Sequence, residues 1–243
     1  MTESQSQHTV RSYDDELKFL THKIAEMGGH AERMVEQSIT AMVNSDNALA
    51  QRVISDDLIL DAGQREIDEK AITIIGKRQP MAIDLREIIG TIRISSDLER
   101  IGDLGKNIAK RVVAVTDTRQ TISVYRGLQT IAELALTQLK DVLDAYATRS
   151  VQQVNIVRER DDEIDALYTS LFRELLTYMM EDPRNISACT HLLFCAKNIE
   201  RIGDHATNIA ETVYYIVTGE QLPTERPKED QTHTIIVDEA RQP

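Results

Sequence analysis

The chain has 243 residues, of which 41% are apolar and 4% are aromatic, and this composition supports a packed core in one large domain or two small ones. Its formal net charge of −12 argues against a nucleic acid partner, because surfaces that bind nucleic acid normally carry an excess of positive charge. The sequence shows neither a secretory leader nor an apolar run long enough to cross a membrane, so we expect a cytoplasmic protein with no membrane span.

Three helices are predicted in the first half of the chain. The first runs from about Asp14 to Val43, and its apolar side chains recur every three or four residues. The second follows candidate N-cap residues at 44–46 and ends before Gln79. We expect Pro80 to open the third helix, which continues to about residue 116, because proline is tolerated in the first turn. The apolar stripe of the first helix comprises Leu17, Leu20, Ile24, Met27, Ala31 and Met34.

Three further helices are predicted in the second half. Ser150 is expected to cap the fifth helix, and Asp182 with Pro183 to cap and open the sixth, which Gly219 closes. Two cysteines lie six residues apart on opposed faces of the sixth helix, so we expect buried free thiols in a reducing compartment. The stripe of the fourth helix comprises Val124, Leu128, Ile131, Ala135, Leu139 and Val142, and the cysteines are Cys189 and Cys195.

The second half repeats the first. The stretch ERIGDLGKNIA begins at Glu99 and ERIGDHATNIA begins at Glu200, with eight of the eleven positions identical. An upstream Asp-x-x-x-Asp pair also recurs in both halves. The sequence therefore predicts an all-α fold of two tandem antiparallel three-helix bundles, related by an internal pseudo-twofold duplication. We expect repeats at 14–117 and 118–219, a flexible N-terminus at 1–13 and a disordered tail at 220–243.

Carboxylates four residues apart form a row on one face of a helix in each repeat. By helical-wheel arithmetic this row points away from the apolar stripe, so we expect it on the surface. It is either a solvated helix face or part of a cation site, because like charges at this spacing cost stability unless they are neutralised. The two rows are Glu99, Asp103 and Asn107 in the first repeat, and Glu200, Asp204 and Asn208 in the second.

The upstream acidic pairs favour a cation site. Asp57 and Asp161 fall where an apolar residue is expected, and a carboxylate there is costly unless it is paired with an arginine, fixes the packing register or binds a metal. If neighbouring helices lie side by side, four carboxylates converge in each repeat, and oxygen donors suit Mg²⁺, Mn²⁺, Ca²⁺ or iron. Zinc is also a candidate ion, although a closed zinc site usually has Cys and His ligands, which are missing here. The predicted metal ligands are Asp57, Asp61, Glu99, Asp103, Asn107, Asp161, Asp165, Glu200, Asp204 and Asn208.

The sequence carries no recognisable catalytic signature. It lacks Glu-x-x-His pairs, glycine-rich phosphate loops and a nucleophile with an adjacent base, so we do not expect an enzyme. His205 follows the second acidic pair, where it is either an additional ligand or a partly exposed packing residue. A metal-dependent phosphohydrolase or a metal-storage bundle stays open as an alternative, since clustered carboxylates can hold two ions.

Three motifs, in this order, resemble those of the PhoU family of phosphate-transport regulatory proteins. They are Asp57-x-x-x-Asp61, then QPxxxDLR from Gln79 to Arg86, then DLERIGD from Asp97 to Asp103. The second repeat has NIERIGDHATNIAE from Asn198, and the resemblance covers about residues 14–218. The second repeat departs from the pattern where Asp-Leu-Arg is replaced by Asn-Ile-Ser.

The resemblance implies two three-helix bundles and metal clusters at the acidic pairs. It also implies a cytoplasmic negative regulator of the phosphate-starvation response and of high-affinity phosphate uptake, which is commonly a homodimer. Such a protein would bridge the ATPase subunit of the phosphate ABC transporter and the sensor histidine kinase of the phosphate response.

Overall fold

The computed structural model describes the backbone of residues 3–114 and 122–222, with side chains at 12–114 and 125–222. Within these ranges the chain forms six α-helices, one short 3₁₀ turn and no β-strand, so the predicted all-α class is confirmed. The helices are α1 (Glu3–Asn44), α2 (Asn47–Arg78), α3 (Ala82–Ala114), α4 (Ile122–Thr148), α5 (Val151–Glu181) and α6 (Ile186–Thr218).

Each half of the chain forms a three-helix bundle. Helices α1, α2 and α3 pack against one another, and so do α4, α5 and α6. The halves join through α3 on α6 and through α1 on α4, which are pairs of equivalent helices. Contact between equivalent helices is the arrangement expected of an internal pseudo-twofold axis, and it leaves α3 and α6 at the centre of the molecule.

The apolar stripes predicted from the sequence form the core. In α1 the stripe is buried from Leu20 to Met34, with Leu17 partly buried at its edge. In α4 the stripe is buried from Leu128 to Val142, and its first predicted member, Val124, lies outside the described side chains. A fully buried Leu, Ile or Met contributes about 1.5–3 kcal/mol relative to leaving it exposed, so this periodic burial stabilises each three-helix bundle.

Polar caps and left-handed residues set the helix ends. Asp46 accepts a hydrogen bond from the backbone N–H of Leu49 (2.9 Å) at the start of α2. Ser150 accepts one from Gln153 (3.3 Å) at the start of α5, so both predicted caps are confirmed. Gly219 ends α6 with φ of 82°, a left-handed conformation that glycine adopts without steric cost.

Three predicted helix starts are wrong. Helix α1 begins at Glu3, earlier than expected. Helix α3 begins at Ala82 and not at Pro80, because Gln79 and Ala82 both have positive φ and interrupt the helical path on either side of the proline. Helix α6 begins at Ile186, directly after a 3₁₀ turn at Pro183–Asn185, and Asp182 and Pro183 cap and open that turn as predicted for the helix itself.

Both cysteines are buried and free, as predicted. Burial raises the pKa of the Cys195 thiol to about 12, so this side chain packs as a small apolar group and not as a nucleophile. None of the described helices has an apolar stretch sufficient to cross a membrane. The predicted tail at 220–243 lies outside the described residues except for its first three positions.

Candidate functional site

The first acidic cluster lies between α2 and α3. It consists of Asp57 and Asp61 from α2 with Glu99 and Asp103 from α3, helices that pack side by side. Asp57 is 7% exposed and sits between Val53 and Leu60 on the buried face of α2, which explains its place in an otherwise apolar stripe. A carboxylate in this position needs a positive or hydrogen-bonding partner.

Lys106 supplies that partner from the next turn of α3. Its Nζ lies 2.5 Å from Asp57 Oδ2 and 2.5 Å from Asp103 Oδ1, so one ammonium bridges the two helices. Burial by itself would lower the pKa of Lys106, but the hydrogen bonds to Asp103 and Asp57 outweigh burial and raise it. The ammonium is therefore held firmly in its charged form at neutral pH.

Glu99 is the carboxylate of this cluster with the least favourable surroundings. Burial raises its pKa, and the negative charges of Asp103, Asp61 and Asp57 raise it further. Arg100 opposes this effect through a contact of 3.5 Å between Arg100 Nε and Glu99 Oε2. The pKa of Glu99 thus responds to all three other carboxylates, so these four of the five predicted ligands of the first repeat lie near one another.

The second acidic cluster lies between α5 and α6, and its carboxylates contact different partners. Glu200 is 3% exposed, and its Oε1 accepts a hydrogen bond from Lys197 Nζ at 2.7 Å. Lys197 lies on the same helix as Glu200 and also stacks over the ring of Tyr168, with Nζ 4.9 Å from the ring centroid. The burial of Glu200 corrects the prediction of a surface row, and it arises because α6 packs against α3, α4 and α5 at once.

A buried amide reaches the upstream pair of the second repeat. Gln138 of α4 is fully buried, and its Nε2 donates to Asp161 Oδ1 (3.4 Å), to Thr207 Oγ1 (3.0 Å) and to the backbone oxygen of Val157 (3.0 Å). The neighbouring Asp165 is 6% exposed. The second cluster therefore receives a neutral amide at Asp161 in addition to the Lys197 ammonium at Glu200, whereas in the first cluster one ammonium bridges Asp57 and Asp103.

Equivalent positions of the two repeats carry these different groups. A Cβ atom placed on Gly102 would overlap Leu60 Cδ1 and lie 3.7 Å from Met34 Sδ. A Cβ atom placed on Gly203 would lie 3.2 Å from Ile164 Cδ1 and 3.0 Å from Gln138 Oε1. Gln138 thus replaces Met34, and alignment of the two repeated motifs places Thr207 opposite Lys106.

The asparagines and the histidine of the predicted rows face the contact between the repeats. His205 Nδ1 lies 2.9 Å from Asp97 Oδ1 of α3, and Asn208 Nδ2 donates to the same oxygen at 3.4 Å. Asn107 lines a cavity of about 380 Å³ between α3 and α6, together with Asn198 and Phe194. His205 is partly buried in this contact, which agrees with its interpretation as a packing residue.

The donor sets fit a metal ion unequally. Among the described residues no three Asp, Glu, His or Cys side chains surround a common point closely enough to hold a metal. In the first cluster the Lys106 ammonium already contacts two of the four predicted carboxylates, so this cluster does not fit a multivalent cation. In the second cluster the Lys197 ammonium contacts one predicted carboxylate, Glu200, at 2.7 Å, and the donor set is of the oxygen-rich kind that hard cations prefer.

A family model described as the PhoU domain matches residues 24–112 and again residues 128–213. The chain belongs to the PhoU family. The two matches coincide with the two bundles, so each bundle is one PhoU domain.

Full-length relatives show the same membership. The chain is 68% identical over 228 residues to the phosphate-specific transport system accessory protein PhoU homolog of Rhizobium meliloti (strain 1021), covering 94% of this chain and 96% of that one. The crystal structure of PhoU from Pseudomonas aeruginosa superimposes with a TM-score of 0.83 at 36% identity, covering 86% of this chain and 100% of that one. The phosphate transport system regulatory protein PhoU from Streptococcus pneumoniae gives 0.81 at 27% identity, covering 87% and 99%.

Sequence reasoning found the carboxylates of both PhoU domains but missed the groups that neutralise them. Lys106 lies three residues after Asp103, a spacing that brings two side chains together on a helix, and this was the available signal. Lys197 lies three residues before Glu200 and carried the same signal. No sequence signal pointed to Gln138, because only the packing of α4 against α5 brings its side chain to Asp161.

Proposed function

We propose that this protein is an accessory protein of the phosphate transport system and a negative regulator of the phosphate-starvation response and of high-affinity phosphate uptake. In this role it is a non-enzymatic adaptor between the ATPase subunit of the phosphate ABC transporter and the sensor histidine kinase of the phosphate response. The observation that carries the proposal is the 68% identity, over nearly the whole of both chains, to a relative named as an accessory protein of phosphate-specific transport.

The surface of the bundles supports an adaptor. Met81 is 81% exposed and Ile83 is also exposed at the turn between α2 and α3, and Met180 and Ile186 are exposed at the matching turn between α5 and α6. Exposed apolar side chains mark surfaces that contact other proteins, and the flexible methionines among them can adapt to a partner. We propose that these two turns contribute to partner contacts, with a homodimer as the working unit.

Metal binding is a second element of the proposal and concerns the second cluster. Asp161, Asp165, Glu200 and Asp204 would be the oxygen ligands of a hard divalent cation between α5 and α6, which would compete with the Lys197 ammonium for Glu200. Calorimetric titration with Mn²⁺ tests this proposal. Loss of the heat in an Asp161→Asn, Asp204→Asn variant is the expected result, and the absence of heat in the unmodified protein would contradict it.

Partner capture tests the adaptor. The purified protein should retain a recombinant phosphate-transporter ATPase subunit and the cytoplasmic domain of the kinase, and its size by light scattering should be that of a dimer. A Met81→Lys, Ile83→Lys variant should bind at least one partner more weakly. The matched control is Ile72→Lys, which adds a charge at another exposed apolar position of the first domain. Equal binding by both variants would exclude the α2–α3 turn from the interface.

A deletion strain tests the regulatory role separately. Loss of the gene should release phosphate-starvation gene expression at high phosphate, and the unmodified chain should restore repression. The alternative of a metal-dependent phosphohydrolase predicts turnover of phosphoesters with added Mn²⁺, and such turnover, lost on Asp204→Asn, would overturn the non-enzymatic assignment.

A further inference from the structure

We propose that Lys106 occupies the cation position of the first acidic cluster and closes that cluster to multivalent metal ions. The proposal refines the metal binding suggested for the family, because it makes the two PhoU domains of this chain chemically unequal. It rests on side chains of the first domain and not on any contact in the second.

The position of the ammonium is the first argument. A single Nζ lies 2.5 Å from oxygens of Asp57 and Asp103, which belong to different helices. A cation that gathered all four carboxylates of the cluster would have to bind these same two side chains. The first cluster therefore already contains a positive charge that bridges the helices, and this charge is covalently attached to the chain.

The cost of displacing this ammonium is the second argument. The side chain of Lys106 is 18% exposed, and Asp57 beside it is more deeply buried. An arriving divalent ion would be repelled by the ammonium at close range, and expelling the ammonium would break both of its ion pairs. An intramolecular cation also pays no cost of association, whereas a free ion does.

The residual charge of the cluster is the third argument. Glu99 and Asp103 each contact Arg100, at 3.5 Å and 3.4 Å respectively. Two fixed cations thus lie among four carboxylates, so half of the formal negative charge that would attract a divalent ion is already balanced. In the second repeat Thr207 stands where the first has Lys106, so an ammonium from this position of the motif is specific to the first domain.

The consequence is that the two domains would respond differently to metal ions. The first cluster keeps the same charge at every concentration of metal, so it holds α2 and α3 together irrespective of the ionic conditions. Any response of the protein to metal would then come from the second domain alone.

The test is calorimetric titration of the full chain with Mn²⁺, comparing the unmodified protein with Lys106→Thr, which copies the second repeat. Lys106→Met is a second variant that retains the volume of the side chain, and circular dichroism verifies that both are folded. The control is Lys110→Thr, which removes an exposed lysine one turn further along α3.

We expect both Lys106 variants to bind one more equivalent of Mn²⁺ than the unmodified protein, with an affinity for the first cluster that rises about tenfold or more. The additional equivalent should disappear on adding Asp103→Asn, and thermal unfolding of the Lys106 variants should shift upward with Mn²⁺ more than that of the unmodified protein. Lys110→Thr should change neither readout.

Two results would overturn the proposal: no additional equivalent in either Lys106 variant, or an equivalent in the unmodified protein that is lost on Asp103→Asn. Binding that is lost on Asp161→Asn reports the second cluster independently. A Lys106 variant that gains a site while the unmodified protein binds nothing would support this inference and contradict the metal binding proposed for the second domain.

Discussion

In the first domain an ammonium bridges Asp57 and Asp103 across two helices, whereas in the second domain Lys197 contacts Glu200 from within the same helix and the amide of Gln138 reaches Asp161. The repeated motif is therefore neutralised from different positions. This difference shows that duplication preserved the placing of the carboxylates but not the identity of the groups that balance them. Single substitutions at equivalent sites should have unequal effects.

The two lysines should differ most. Lys106→Met removes the positive partner of two carboxylates, one of them buried, and should lower the free energy of unfolding by about 2–3 kcal/mol. Lys197→Met removes a single ion pair from a lysine whose side chain is 39% exposed, but the carboxylate that loses this contact is buried, so the expected loss is smaller, about 1–2 kcal/mol. Urea unfolding followed by circular dichroism measures both values. Equal losses would show that the bridge across α2 and α3 adds nothing beyond a single ion pair.

The glycines of the two motifs should differ next. A methyl group at Gly102 collides with the buried Leu60, and overpacking of this kind costs about 1–3 kcal/mol, part of which the better helix propensity of alanine offsets. Gly203→Ala meets its neighbours at 3.0 Å and beyond and should change stability by about 0.5 kcal/mol. Thermal unfolding compares the two variants. A larger loss for Gly203→Ala would mean that the second bundle is the more tightly packed at this point.

The contact between the domains is also unequal on its two sides. Asp97→Ala removes the acceptor of both His205 and Asn208 and should cost about 1 kcal/mol. The equivalent of Asp97 is Asn198, which lines a cavity, so Asn198→Ala is the matched control with little expected effect. Chemical denaturation of both variants measures the difference. An equal loss in the control would assign the effect to general packing between α3 and α6.

The smallest expected effect is that of Glu99→Gln, and it should be an increase in stability. Because burial and neighbouring carboxylates raise the pKa of Glu99, its ionisation opposes folding, and this penalty is complete above the raised pKa. Glu99→Gln should therefore stabilise the protein at neutral pH. The gain should fade as the pH drops below the ordinary value of 4.5, where the glutamate is protonated in both states.

The second domain supplies the comparison for this substitution. Glu200→Gln weakens a hydrogen bond to Lys197 and should destabilise the protein slightly at neutral pH. Stability measured across the acidic pH range distinguishes the two variants. Destabilisation by Glu99→Gln at neutral pH would show that its contact with Arg100 outweighs the repulsion from the other carboxylates.

Much of this molecule could be predicted because helical periodicity is a local property. The apolar stripes, the caps at Asp46 and Ser150 and the closing Gly219 follow from residues within a few positions of one another. The start of α3 could not be predicted, because Gln79 and Ala82 adopt positive φ although neither residue type favours it.

The acidic clusters show the same division. Spacing by four predicted the rows, and the position of Asp57 in an apolar stripe predicted its burial. The burial of Glu200 could not be predicted from the apolar stripe of a single helix, because α6 also packs against α3 of the other bundle. The contact of Lys106 with Asp57 could not be predicted, because it depends on which face of α2 meets α3. That rotation is set by packing across the whole bundle.

The contact of Asp97 with His205 has a mechanical consequence. Asp97 stands two residues before Glu99, and His205 directly follows Asp204, so this link lies within one helical turn of both acidic pairs. A partner that twists one domain against the other must either break the link or drag it along. In both cases the displacement is greatest within one helical turn of Glu99 and Asp204. A rotation of one domain against the other would therefore change the position of carboxylates in both clusters.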